Sequence, residues 1–132
     1  MINSAEEFVE LRCSEIQEEY SRANEESALM ETWLDVIGRY PEMREWVARN
    51  KAVPLEILRV LAGDPDRAIR FAVASKRKLD RALFDSLSRD ADEGVRQRIA
   101  YNQKTPHEIL ERLSADESAL VRSVASQRLS AP

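Results

Sequence analysis

The sequence predicts an all-α, right-handed solenoid of short two-helix repeats, closed at its start by capping helices. Three observations lead there. The stretch Pro54–Arg70 returns twice at a spacing of 26 residues, with no gap. Six columns stay in register: Ile57/Leu83/Ile109, Leu58/Phe84/Leu110, Leu61/Leu87/Leu113, Asp64/Asp90/Asp116, Ile69/Val95/Val121 and Arg70/Arg96/Arg122. A recurrence of that length marks a repeat architecture. Within each unit the apolar residues fall at i, i+1 and i+4, then again at positions such as Ile69 and Val73, which is one buried face for each of two helices. Three glycines and 6% aromatic residues argue against a β-rich fold.

Taken in order, Ser4 with Glu7 forms a capping box that starts a helix over Ala5–Cys13, with Phe8 and Leu11 on its apolar edge. Ser14 caps a second helix with Ile16 and Tyr20 turned inward. A third runs from Glu25 to Arg39 with Leu29, Met30, Trp33, Leu34 and Ile37 on its buried side. Leu34, Ile37, Arg44 and Val47 read as a degenerate first repeat, shortened at Tyr40-Pro41, and Trp46 falls in a column that is not uniformly apolar. Residues 1–39 thus serve as a cap, with the start of that repeat, and residues 40–129 hold the repeats, in one domain over 1–132.

In the third unit Thr105 is placed to cap a helix, with Pro106 at its first position and Glu108 completing a capping box. The second helix of each unit is expected to start at the aspartate column, with Asp64 and Asp90 as N-caps, and to end near Asn50, Lys76 and Asn102, asparagine closing the helix in a left-handed conformation. Helices of about 9–10 residues are only ~14 Å long and unstable alone. They bury their apolar columns by stacking on neighbours, which leaves the end units in need of a cover. Ala125 and Ser126, in place of Val73/Ile99 and Ala74/Ala100, mark a last helix thinning toward solvent.

The pattern VPLEIL..LA.DPD..IR..VA, followed by TPHEIL..LS.D....VR, resembles the leucine-rich repeat variant and the short HEAT-like repeats of bacterial proteins over about Tyr40–Leu129. The 26-residue unit is shorter than an ordinary HEAT repeat, which favours the variant family, where one helix of each pair is short or 3₁₀-like. The iron–sulfur cluster of that family requires a cysteine group, and the chain holds only Cys13. The resemblance therefore carries the repeat class without the cofactor, and no cofactor or metal is expected.

Composition narrows the function. A chain of 132 residues, 43% hydrophobic and 33% charged, has the balance of a soluble helical protein. There is no apolar run of roughly 18 residues that would suggest a membrane span. The segment MINSAEEF lacks the basic and apolar regions of a signal peptide, and one cysteine suits a reducing compartment; a cytoplasmic monomer is expected. The net charge of −4 is unevenly spread: residues 1–35 hold ten acids against two bases, and the remainder is basic by four.

Catalytic chemistry finds no foothold. His107 follows a proline at a helix start and reads as a surface residue, and Cys13 reads as packing. Gly38, Gly63 and Gly94 are isolated, so no phosphate-cradling loop exists, and no Cys/His pair has metal-ligand spacing. The arginine column that Arg70, Arg96 and Arg122 continue from Arg44 has two readings: a ladder of anion ligands, or arginines each paired with an aspartate of the column Asp64, Asp90 and Asp116, in its own or an adjacent unit, to knit the solenoid.

Binding is the remaining class, and two charged surfaces compete for it. Lys76, Arg77 and Lys78 lie at a corner between units, with Lys51 and Lys104 at equivalent corners; with Arg98 and Tyr101 they make a basic strip suited to an acidic protein or to phosphates. Glu18, Glu19, Glu25 and Glu26 are an acidic surface able to imitate a phosphate backbone and occupy a basic cleft. The expected function is non-catalytic protein binding, of the kind an immunity-type or regulatory protein uses to neutralise its partner. A nucleic-acid-binding repeat protein is the alternative, although its domain would ordinarily be basic and this chain has a pI near 5.2. A structural adaptor in a larger assembly is a third.

Overall fold

The computed structural model describes residues 1–131. Among these the chain forms ten α-helices, one 3₁₀ turn and no strand, apart from an isolated bridge between Ile2 and Ala28. It divides into two compact units, Met1–Leu61 and Ala62–Pro132.

The first unit contains α1 (Ala5–Cys13), α2 (Gln17–Glu25), α3 (Met30–Arg39), a 3₁₀ turn (Pro41–Met43) and α4 (Arg44–Arg49); α5 (Leu55–Ala62) runs to the division. The Ser4 hydroxyl accepts the Glu7 N–H at 3.0 Å and starts α1 where the capping signal places it. The reciprocal bond is displaced by one residue, because the Glu7 carboxylate accepts from the Asn3 N–H. Phe8 meets Trp33 edge to face at 5.5 Å between ring centroids, an arrangement that adds about 1 kcal/mol to the area both bury. The Trp33 Nε1–H has no acceptor among the described residues.

The turn of α3 differs from the expected one. Ile2 donates its N–H to the Ser27 carbonyl at 2.8 Å and bridges to Ala28, which holds residues 26–29 extended. The helix therefore starts at Met30 rather than Glu25, and it buries Thr32, Trp33, Val36 and Ile37 while Leu29, Met30 and Leu34 face solvent. Ile16 is likewise exposed: it precedes α2, whose Ser14 neighbour uses its hydroxyl to accept the Ile16 N–H and to reach Glu19. Cys13 ends α1 in the open and does not pack in the core.

The second unit contains α6 (Arg67–Ala74), α7 (Arg81–Leu87), α8 (Glu93–Tyr101), α9 (His107–Leu113) and α10 (Ala119–Ser130). Helix α8 packs against both α6 and α10, and α10 also against α9. The core is the apolar set read from the columns, Ile69, Val73, Leu83, Phe84, Leu87, Val95, Ile99, Ile109, Leu110, Leu113 and Val121, all buried. Ala125 is buried and Ser126 exposed.

Three local expectations are overturned. Helices α6 and α8 start three residues past Asp64 and Asp90, and their N-caps are Asp66, accepting from Ala68, and Asp92, accepting from Val95. Asp64 and Asp90 instead accept the N–H two residues on, at 2.9 Å each. Thr105 caps no helix: its hydroxyl donates to the Ile99 carbonyl at 2.6 Å, and Pro106 itself stands at the cap position of α9. Asn50 and Asn102 end α4 and α8 with extended backbone (φ −60° and −63°), and no residue has positive φ among those described.

Candidate protein-binding surface

The polar columns of the second unit do structural work first. Arg70 donates from Nε and Nη2 to the two carboxylate oxygens of Asp90, at 2.8 and 3.2 Å, and from Nη1 to the carbonyls of Asp64 and Pro65. Arg96 repeats this with Asp116, at 3.0 and 3.2 Å, and with the carbonyls of Asp90 and Ala91. A planar guanidinium satisfies both oxygens of a carboxylate at once, which lysine cannot do. Arg96 is only 8% exposed, so it is a buried charge, and its partner is largely shielded from solvent. Burial pushes the Asp116 carboxyl up, but the bonds from Arg96 and the Ser118 N–H outweigh it and hold the group below the usual aspartate range. The Asp90 hydrogen bond raises Arg70 and the Asp116 one raises Arg96.

The buried amide of Asn102 is a second tie. Its Nδ2 donates to the carbonyls of Ala74 and Lys76 at 3.0 and 2.6 Å, and its Oδ1 accepts the Lys104 N–H at 3.0 Å. Asn50 does the same in the first unit, donating to Ala23 and Glu26 and accepting from Ala52. Arg128, 26 residues past Asn102, reaches the carbonyls of Ala100 and Asn102. Each side chain satisfies carbonyls that a helix C-terminus leaves without intrahelical donors.

This tie brings the corner at Lys76–Lys78 against the corner at Gln103–Lys104. Arg77, Lys78 and Lys104 are exposed there and Lys76 is half-buried. Arg98 donates from Nε to the Ser75 hydroxyl at 3.0 Å, joining the end of α8 to the end of α6. Tyr101, three residues on from Arg98, is 50% exposed, and Phe71, one turn before Ser75, is 41% exposed. Two exposed aromatic residues thus lie within one helical turn of the two residues joined by the Arg98–Ser75 bond, on the helix ends that lead into the basic corner.

Phe71 is not among the residues that the repeat pattern singles out. Its column holds the signal: Phe71 is matched by Gln97 and Ser123 at 26-residue steps, both polar. An aromatic residue in an otherwise polar column is a residue the fold does not require. Lys51 belongs to the first unit, where it pairs with Glu25 at 3.5 Å.

The acidic side chains are largely committed within their own unit. Glu26 takes Arg22 at 2.6 Å and the N-terminal ammonium at 3.1 Å, and the bond from Arg22, then that from the ammonium, keep its carboxyl below the usual range. Glu19 accepts from Ser14. Glu18 is exposed on α2. Arg12 lies 3.9 Å over the Trp46 ring and donates to Asn24, so it too is spent internally.

His107 is exposed and pairs with Glu111 at 2.9 Å. Among the described residues no group of three or more His, Cys, Asp or Glu is placed to hold a metal ion, and no helix is long and apolar enough to cross a membrane. Comparison of the chain with protein-family models, with curated proteins and with solved structures finds no match.

Proposed function

We propose that this chain is a non-catalytic binding module, a right-handed α-solenoid of 26-residue two-helix units related to the leucine-rich repeat variant and short HEAT-like repeats of bacteria. It binds a partner protein in the cytoplasm through the surface of Phe71, Arg98 and Tyr101. The observation that carries this reading is the pair of exposed aromatic residues beside the Arg98–Ser75 hydrogen bond. Aromatic and arginine side chains dominate the energetics of protein interfaces, because they bury much area for few rotors. The arginine is already ordered by Ser75, so less entropy is lost when a partner covers it.

The neighbouring cations, Arg77, Lys78 and Lys104, favour a partner with an acidic face and speed its approach. An immunity-type or regulatory role, in which binding occludes the partner's own site, fits a small rigid scaffold of this kind. In that role the basic, aromatic surface makes the contact, since Glu19, Glu25 and Glu26 are engaged within their own unit.

The same aromatic residues interleaved with cations also suit stacked bases along a single strand, and nucleic acid is the second reading. Capture of partners by the tagged protein, with and without nuclease, separates the two when repeated with the Phe71→Ala/Tyr101→Ala variant. A protein retained after nuclease and lost by the double variant supports the first reading. Loss on nuclease treatment supports the second.

A further inference from the structure

Arg70, Arg96 and Arg122 are anchored alike. The Nη1 of each donates to two consecutive carbonyls of the loop before its helix: Asp64 and Pro65 at 2.8 and 3.0 Å, Asp90 and Ala91 at 2.8 and 3.3 Å, Asp116 and Glu117 at 2.7 and 3.0 Å. That anchor sets the plane of the guanidinium. For Arg70 and Arg96 the free edge, Nε with Nη2, takes both oxygens of an aspartate 20 residues on. For Arg122 the edge meets no carboxylate among the described residues, and the side chain is exposed.

We propose that Arg122 is a preorganised docking point for an aspartate carried on an acidic loop of a partner protein. The chain itself shows what the edge accepts. Asp90 and Asp116 are each held by the N–H two residues on, at 2.9 and 2.8 Å, so that both oxygens face the arginine. A loop of the form Asp-x-Asp or Asp-x-Ser leading into a helix therefore presents the matching carboxylate.

The surroundings fit a protein segment better than a small ion. Ser126, one turn beyond Arg122, corresponds to Ala74 and Ala100, whose small side chains are fully buried on helices that pack against a neighbour. The side chain there leaves room for a helix backbone. Opposite charge and a fixed fork supply specificity, because bidentate pairing demands a planar carboxylate in one orientation. This site lies on α10, apart from the aromatic surface of α6 and α8, and either assignment stands without the other.

The test is NMR titration of the full chain, following the backbone amides of residues 119–126, which every variant keeps, together with the Nε–Hε resonance of Arg122 in the unsubstituted chain, with those of Arg70 and Arg96 as internal references. The probe is a capped peptide copying residues 87–95, the loop that supplies Asp90 to Arg70. A saturable shift at Arg122 with a dissociation constant on the order of 1–10 mM is expected for one isolated ion pair and its loop. It falls at least about fivefold when the peptide carries Asp90→Asn, weakens with Arg122→Lys, which keeps the charge but loses the fork, and vanishes with Arg122→Gln. The unchanged Arg96 resonance reports that each variant is folded.

No shift at about 10 mM peptide, a concentration that half-fills a site of that affinity, overturns the proposal. So does a shift that survives Arg122→Gln, or one that acetate or inorganic phosphate matches at equal concentration, which marks a plain anion site. The same shift on raising the protein concentration without peptide assigns the edge to a second copy of this chain, and overturns the partner.

Discussion

Arg96 grips Asp116 through both carboxylate oxygens, Nε to Oδ2 at 3.0 Å and Nη2 to Oδ1 at 3.2 Å, across 20 residues of chain and almost out of contact with water. Removing the acid leaves a buried guanidinium with its carbonyl partners and only the exposed, more distant Glu117 carboxylate at 3.7 Å. Asp116→Ala is expected to cost about 3 kcal/mol, whereas Arg122→Gln, in the same column but exposed, costs less than about 0.5 kcal/mol. Urea unfolding of both variants measures the contrast. Equal losses would mean that the column's regularity, not its burial, sets its energetic role.

The same pair fixes an acid limb in the stability. Asp116 titrates below its ordinary range in the folded chain, so the unfolded state binds this proton more readily. Its contribution is complete above the unfolded aspartate pKa of about 3.9 and is lost as pH falls through the lower folded value. Stability of wild type therefore declines below about pH 4, and Asp116→Asn, which has no proton to take up, shows a shallower decline. Unfolding midpoints measured from pH 6 to pH 2.5 test the slope, on the order of the window set by these values.

Asn102 satisfies two carbonyls and one N–H with a single buried amide. Asn102→Ala leaves all three without those partners, at a cost of about 2–3 kcal/mol. The Lys104 amide then loses protection in hydrogen exchange beyond the global change, while amides of α9 follow the global stability. Uniform loss across the unit would place the effect in the core rather than in the tie.

Phe71 and Tyr101 add little to the fold and much to the proposed interface. Alanine at either position changes stability by less than about 1 kcal/mol, while partner affinity drops at least tenfold, the scale of an interface hot spot. Calorimetry of the complex beside thermal melts of the free variants separates the two effects. A melt that collapses with Tyr101→Ala would make the ring a structural residue.

How far the chain was legible from sequence depends on whether the deciding contact is local. Helix α1 is found at Ala5–Cys13 because its cap, Ser4, and its apolar edge, Phe8 and Leu11, lie within two helical turns of each other. The buried columns of the second unit follow from a register that repeats without a gap. Helix α3 is misjudged because Ile2, more than twenty residues away, bridges Ala28 and holds the segment before Met30 extended; Leu34 then points outward, which no helical period reveals.

The aspartates show a different failure. Asp64-Pro65-Asp66 and Asp90-Ala91-Asp92 each offer two caps, and the second takes the role. In the second of these loops the first aspartate, Asp90, takes Arg70 instead, a division of labour visible only in three dimensions. At the candidate surface the basic corner and Tyr101 are readable as departures from the repeat. Phe71 is readable only when its column, and not its hydrophobicity, is considered.

The most direct test of the central proposal is photo-crosslinking in the protein's native cells, with a benzophenone amino acid at position 101 and, in a separate strain, at position 18 on α2. The account predicts one protein adduct of defined mass from position 101, resistant to nuclease and lost when Phe71→Ala is added, with none from position 18. An adduct from position 18 alone would move binding to the acidic helix, and a nuclease-sensitive adduct at 101 would replace the protein partner with nucleic acid; either contradicts the account.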